Sequence, residues 1–329
     1  MTRGLLLIDA SNIAHAANSS TPLTVGDMPT QMIYGVLRTL RPMLSTFSTL
    51  TPIVLWDGRS WRKDVFKDYK ISRDKEPVTK TEKTLAVQRD QFKRQLPYLK
   101  LALKTLGIRQ MFAINYEADD LAGMLVNKSA PERRIIMISG DKDWIQLVRP
   151  NVAWVDPIRN EKLTVATIPK RLGWNPAKKA LTITDGDRVE GWIGVPSARA
   201  WLEMKALMGD ISDDIPGVGG VGAKGAIELI TTYGSVTAFM NGVLDKSIDW
   251  LTLPKKFADL AIEAEKKDNF QRNMLLMDLN SSMRPPAINM KMDVASINLG
   301  GFKTICNRFF FKSILDQFER WCEPFGVPA

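Results

Sequence analysis

Three short runs in this chain lead straight into aspartates, and that pairing limits what it can fold into. Arg3 to Ile8 runs into Asp9, Pro52 to Trp56 into Asp57, and Arg134 to Ser139 into Gly140-Asp141-Lys142-Asp143. Each run reads as a buried strand. Acids directly behind such strands point out of the end of a sheet, where open α/β folds place their sites. Two further motifs share the texture: Glu117-Ala118-Asp119-Asp120, and Met208-Gly209-Asp210-Ile211-Ser212-Asp213-Asp214. So many anions in one place need cations, and two divalent metals are the simplest supply.

The remaining pattern predicts alternating strands and helices. Helical spacing covers Thr30 to Phe47, Thr81 to Leu106 (ending at Gly107), Ala118 to Asn127 and, briefly, Trp144 to Val148. Gln110 to Ile114 and Asn151 to Val155 read as strands. β-then-α units argue for an α/β fold with a mostly parallel central sheet flanked by helices. Ala180 to Val195, with Asp185-Gly186 between alternating residues, predicts a hairpin. From Ser197 the pattern is helical, and Phe309 to Trp321 predicts one closing helix. The expected division is a core over 1–177, a hairpin insertion over 178–196 and a helical region over 197–329.

Composition removes several kinds of chemistry. His15 is the only histidine, which excludes histidine metal cages and disfavours a Ser-His-Asp triad. Cys306 and Cys322 are the only cysteines and offer no zinc spacing. No apolar run approaches the length of a membrane span, and the N-terminus carries no signal-peptide pattern, so a cytoplasmic protein without membrane contact is expected. The net charge is +9, and residues 59–109 hold 15 Lys or Arg against 6 Asp or Glu, an excess equal to that of the whole chain. A basic block beside an acidic cluster suits a polyanion held near metal ions, although a solvated charged helix gives the same count.

Two stretches add detail. Gly217 to Gly225 lacks the Gly-Lys-Ser/Thr of a phosphate loop and the preceding strand of a dinucleotide fold. It reads as a tight turn between helices, whose free amides and small residues can approach a nucleic-acid backbone. From Trp61 to Arg73 the cations recur at three-to-four spacing just downstream of Asp57, placed to stabilise charge on a phosphate.

In order and spacing from Gly4 to Tyr233, these motifs resemble the 5′-nuclease family: phage 5′–3′ exonucleases, flap endonucleases and the nuclease domain of bacterial DNA polymerase I. Leu5 to Asp9 is similar to the family's first strand and metal-binding aspartate, and Asp57 to its second. Arg62 and Tyr69-Lys70-x-x-Arg73 are similar to its Arg and Tyr-Lys-x-x-Arg elements. Tyr116 to Asp120, Gly140 to Asp143 and Met208 to Val218 match almost literally. The last of these opens the family's helix–three-turn–helix, which grips duplex DNA, often with bound K+.

The resemblance implies a PIN-like 5′-nuclease fold with a basic helical arch over 60–106 and a helix–three-turn–helix near 210–234. It implies two Mg2+ ions, with Mn2+ as a substitute, and K+ at the turn. Asp9, Asp57, Glu117, Asp119, Asp120 and Asp141 would surround the first metal, and Asp143, Asp210 and Asp213 the second. Lys70 and Arg73 would stabilise the scissile phosphate and Arg62 steer it. Tyr69, His15, Gly217, Gly219, Gly220, Gly222 and Lys224 would touch DNA. The implied partner is DNA with a 5′ end, flap or nick, cut by a monomer in replication or repair. With no polymerase region following, a free-standing, phage-like nuclease is expected. Departures are the hairpin and His15-Ala16, where many members carry an aromatic and a basic residue. Alternatives are a primer-removing RNase H acting on RNA–DNA hybrids and, from another class, a non-catalytic DNA-binding scaffold.

Overall fold

Alternation along the first strand decides the layering. In β1 (Leu5–Asp9) the side chains of Leu5 and Leu7 enter one apolar core and those of Leu6 and Ile8 another. A strand buried on both faces needs helices on both sides. The computed structural model describes residues 3–293 and 296–326. After β1 come α1 (Ala10–Asn18), α2 (Gln31–Thr46), β2 (Thr51–Leu55), the long α3 (Lys80–Thr105), β3 (Arg109–Phe112), α4 (Ala118–Lys128), β4 (Ile135–Ile138), β5 (Val152–Asp156) and β6 (Glu161–Leu163).

Three short strands, β7 (Leu172–Asn175), β8 (Ala180–Ile183) and β9 (Ile193–Gly194), then form a separate sheet. Helices α5 (Ala198–Met208), α6 (Ala223–Tyr233), α7 (Val236–Leu244), α8 (Lys255–Ile262) and α9 (Ala264–Met277) follow, then β10 (Lys291–Asp293) and α10 (Leu299–Arg308). The main sheet runs β10-β3-β2-β1-β4-β5-β6. Its five inner strands pair in parallel, and β10 and β6 join antiparallel at the edges. The chain leaves β1 first toward β2 and β3, then returns to add β4 on the other side. That reversal opens a crevice beyond the carboxyl ends of β1, β2 and β4, the ligand position of an open α/β sheet.

The helix expected over Thr81 to Leu106 is α3. It opens on a capping box in which Thr79 and Glu82 satisfy each other's backbone amides. At 26 residues it is about 39 Å long. Its last part is anchored by Gln95, Leu99, Ala102 and Leu103, while the first turns bury none of their side chains. Leu99, Ala102 and Leu103 share their core with α1, α2 and α10. No helix among the described residues is long and apolar enough to cross a membrane.

Two expectations need correction, and one strand had none. The stretch from Ala180 to Val195 is not a hairpin of two strands, because β8 and β9 both pair with β7 and not with each other. The tight turn lies at Pro176–Lys179, where Lys179 takes a left-handed φ of 48°, and Gly186–Arg188 forms a 3-10 turn. The closing helix is broken into pieces over Lys312–Leu315 and Phe318–Cys322, after Phe310 at φ 52° ends α10. Strand β10 has no sequence pattern, since all three of its residues are exposed.

Candidate active site

Four aspartates collect where β1, β2 and β4 end. Asp9 caps α1, its Oδ1 accepting from the Asn12 amide at 3.0 Å. Its Oδ2 accepts from the buried Ser139 hydroxyl at 2.7 Å, and Ser139 Oγ accepts from the Asp141 amide at 2.9 Å. One hydroxyl therefore ties the ends of β1 and β4 together. Asn12 Oδ1 adds a second tie by accepting from the Gly140 amide at 2.9 Å. Asp57, exposed at the rim, accepts from the Ala118 amide at 2.8 Å, and Asp119 accepts from Trp144 Nε1 at 2.6 Å.

Only neutral donors hold these four groups. Burial, with Asp57 next to it, pushes the Asp9 carboxyl up to about 7. Burial and Asp143 push Asp141 up to about 8. Asp119 is raised well above the usual range by burial, with Asp141 adding to it. No salt bridge among the described residues ends on Asp9, Asp57, Asp119 or Asp141.

The other acids are already paired. Lys70 carries a left-handed φ of 55° and sets its ammonium between Glu117 and Asp213, touching Glu117 Oε1 and lying 3.5 Å from Asp213 Oδ2. Burial of Glu117 is more than offset by Lys70 and Arg62, which hold its carboxyl down at about 2. Arg73 bonds Asp213 Oδ1 at 2.9 Å. Lys205, near the end of α5, sits 2.5 Å from Asp210 Oδ2 and 3.1 Å from Asp143 Oδ1. A narrow cleft beside these groups is lined by Arg62, Tyr69, Asp119, Asp143, Asp210 and Asp213. Among the described residues no three acidic, histidine or cysteine side chains close into a ready-made metal cage.

Three sequence-based roles have no free group in this geometry, and a fourth, that of the exposed His15, keeps one ring face. Asp120 is fully buried and takes both arms of the Arg62 guanidinium, at 2.9 and 3.0 Å, while its Oδ2 accepts from the Glu117 amide; it does not face the cleft. Arg62 is spent on Asp120, Glu117 and the Leu276 carbonyl, with 4 % of its side chain exposed, so it cannot steer a phosphate. Tyr69 is buried, its hydroxyl lying 2.8 Å from Glu117 and 3.1 Å from Asp213, and it presents nothing to DNA. His15 stacks on Phe92 of α3 with ring centroids 4.3 Å apart, so one of its faces is taken by the protein.

The glycine turn follows directly on the two-strand pairing of Gly209-Asp210 with Ile215-Pro216. Gly217 packs against the Met208 carbonyl, where a Cβ would lie 2.5 Å from that oxygen. Gly219 and Gly220 have φ of 84° and 75°. Gly222 caps α6 with an ordinary φ, and a Cβ added there would meet nothing within 4 Å. Lys224 is exposed on the first turn of α6, its ammonium 3.7 Å from Glu228.

Sequence reasoning gave no role to Lys205, Ser139 or Asn12. Ser139 and Asn12 lie two or three residues from an acid, a spacing that signals a cap. For Lys205 the signal was a lone cation five residues before Asp210.

Comparison with known proteins decides the family. The description "5′-3′ exonuclease, N-terminal resolvase-like domain" matches residues 4–173, and "5′-3′ exonuclease, C-terminal SAM fold" matches 196–295. The chain belongs to the 5′-3′ exonuclease family. It is a nuclease of that type, and the stretch between the two matches coincides with β8, β9 and their connections. A 5′-3′ exonuclease of Aquifex aeolicus is 26 % identical over 321 residues, covering 96 % of this chain and 95 % of that protein. The thermostable DNA polymerase I of Thermus filiformis is 31 % identical over 236 residues, 70 % of this chain but 24 % of the polymerase.

The same fold occurs in the bacteriophage T5 D15 protein co-crystallised with metal ions, with TM-score 0.61 at 22 % identity over 95 % of this chain and 99 % of that one. It recurs in the catalytic core of Rad2 in complex with DNA substrate, with TM-score 0.51 at 15 % identity over 96 % and 91 %. Family and fold are thus those that the motifs resembled.

Proposed function

We propose that this member of the family hydrolyses phosphodiesters near the 5′ end of DNA, as a 5′–3′ exonuclease and flap endonuclease, using two Mg2+ ions that Mn2+ can replace. One observation carries the reading: Asp9, Asp57, Asp119 and Asp141 crowd the crevice without a protein counter-cation, so that Asp9 and Asp141 are driven toward neutrality. Oxygen donors short of positive charge fit a hard divalent ion. These four, with Glu117, would hold the first ion, and Asp143, Asp210 and Asp213 the second. Bound there, the pair supplies Lewis-acid activation and a clamp on the attacking and leaving oxygens.

The chain's own residues set the stage for that chemistry. Ser139 and Asn12 fix the separation of Asp9 from the Asp141 loop. Arg62 and Tyr69 hold Glu117 in place from behind. Lys70 and Arg73 pair with Asp213 at the cleft and would supply positive charge to a phosphate that enters. In this reading residues 1–177 carry most of the chemistry, 197–329 add Asp210 and Asp213 to it and provide the grip, and β8 and β9 lie between them. The exposed Gly219, Gly220 and Gly222 and the N-terminus of α6 receive the duplex backbone, with K+ at the same turn. The protein works in the cytoplasm as a monomer, in replication or repair.

Product mapping tests this. A 5′-flap DNA duplex labelled at either end is incubated with and without Mg2+, beside an RNA–DNA hybrid. Metal-dependent cleavage near the flap junction, leaving a 5′-phosphate, is expected, with Asp143→Asn inactive but still binding DNA. Full cleavage by Asp143→Asn, or cleavage confined to the hybrid, would overturn the reading.

A further inference from the structure

Two lysines pair with acids that line the cleft, and they are not equivalent. Lys70 shares its carboxylates with Arg62, Arg73 and Tyr69. Lys205 is the only cation that touches Asp143 or Asp210 among the described residues, and both of those acids belong to the proposed second-ion position. The local chain is built to keep them together. Gly209, at φ 76°, ends α5 and turns Asp210 back toward the helix. Asp210 Oδ1 accepts from the amide and hydroxyl of Ser212, at 2.9 and 2.6 Å, which leaves Oδ2 for Lys205. On the other side Trp201 Nε1 donates to the Lys142 carbonyl at 2.9 Å, pinning the loop that carries Asp143 to α5.

One positive charge between two carboxylates leaves a net negative charge that a divalent ion would neutralise. The ammonium and such an ion cannot share the same two oxygens, since their repulsion at contact distance is large in a cleft this little exposed. A lysine is also a compact charge on a flexible four-carbon stem, able to leave without moving the helix.

We propose that Lys205 is an internal stand-in for the second divalent cation: it holds Asp143 and Asp210 together in the cation-free protein and must be displaced before that ion binds. The proposal rests on the two-ion reading, from which it inherits the assignment of Asp143 and Asp210. Second-ion affinity is then set by the exchange of an ammonium for a divalent cation, and the first position, where Glu117 alone meets an ammonium, fills earlier.

The test uses the full chain without DNA. Calorimetric titration with Mn2+ counts the ions and their affinities in the parent, Lys205→Met and Lys205→Arg. Losing two charge-assisted bonds from the competing state should tighten the second ion by about tenfold or more in Lys205→Met and leave the first unchanged. Lys205→Arg, which keeps the competitor, should stay within about threefold of the parent or weaker. Melting supplies a readout separate from titration: Lys205→Met should melt below the parent in chelator and recover in saturating Mg2+.

Equal second-ion affinity in Lys205→Met and the parent, or a melting deficit unaltered by Mg2+, would overturn the proposal and leave Lys205 as a fixed salt-bridge partner. Asp143→Asn separates the two levels. If it still binds two ions with parental affinity, the two-ion assignment itself has failed, whatever Lys205 does.

Discussion

Replacing Arg62 by lysine keeps the charge and removes the fork, which makes it a direct test of whether this cation serves the substrate or the fold. In the structure the guanidinium makes two parallel bonds to Asp120, at 2.9 and 3.0 Å, a third to Glu117 at 3.1 Å and a fourth from Nε to the Leu276 carbonyl at 2.6 Å. A lysine ammonium cannot reproduce that planar set. It strands part of Asp120, which has no exposed surface, and frees a carbonyl of α9. Breaking a buried charged arrangement costs about 3–5 kcal/mol. At about 2–4 °C per kcal/mol for a chain of this general size, the melting temperature should fall by about 10 °C.

The second half of the assay is DNA affinity against salt concentration. Each phosphate contact contributes about 0.9 to the logarithmic salt slope. Arg62 is buried behind Glu117, so Arg62→Lys should leave that slope unaltered. A variant that melts within about 1 °C of the parent and loses about one phosphate contact from the slope would refute the structural role and return Arg62 to the substrate.

Further outcomes follow from the same cleft. In chelator the melting temperature should fall as pH rises from about 5 to about 8, because Asp9 and Asp141 hold protons in the folded protein up to about 7 and about 8 that they lose near 4 when unfolded. Saturating Mg2+ should abolish that decline, and a flat profile in chelator would contradict the crowding of these acids. Below about pH 4.5 the sign reverses for Glu117, whose stabilising charge, held down to about 2, is lost on protonation. Lys70→Ala should lower kcat far more than it weakens DNA binding if, as proposed, the ammonium beside Glu117 and Asp213 supplies charge to the reacting phosphate; equal losses in steady-state kinetics and filter binding would make it an ordinary contact. Gly222→Glu should leave melting within about 2 °C while weakening duplex binding in a titration at low salt, because the position is open space in the fold; unchanged binding would remove the α6 turn from the interface.

The carboxyl edge of the sheet was legible because its signals are local. Apolar runs with an acid at their end specify strand, burial and direction within six residues, and Asp9, Asp57 and Asp141 meet as those runs imply. What was not legible depends on contacts between distant segments. Arg62 has the spacing of a solvated basic face, and only the return of α9 and the start of α4 around it make it internal. Tyr69 shares that fate. The Asp185-Gly186 turn signal was outweighed by β7, which captures both neighbouring strands. Phe310 breaks the last helix in a left-handed conformation that a phenylalanine does not advertise.

The span from Lys70 to Gln95 is held at both of its ends. At one, the Lys70 amide donates to the Asp213 carbonyl and the Ser72 amide to the Asp214 side chain. At the other, Gln95 bonds Asn18 and the Met32 amide deep in the core. Between them Arg89 donates to the Arg73 carbonyl, the Gln88 carbonyl accepts from Asn18 and Phe92 stacks on His15, while the first turns of α3 bury no side chain. A strap fastened in this way transmits tension. A push on those first turns meets the strap's N-terminal anchor at Lys70 to Ser72, the segment that carries the ammonium.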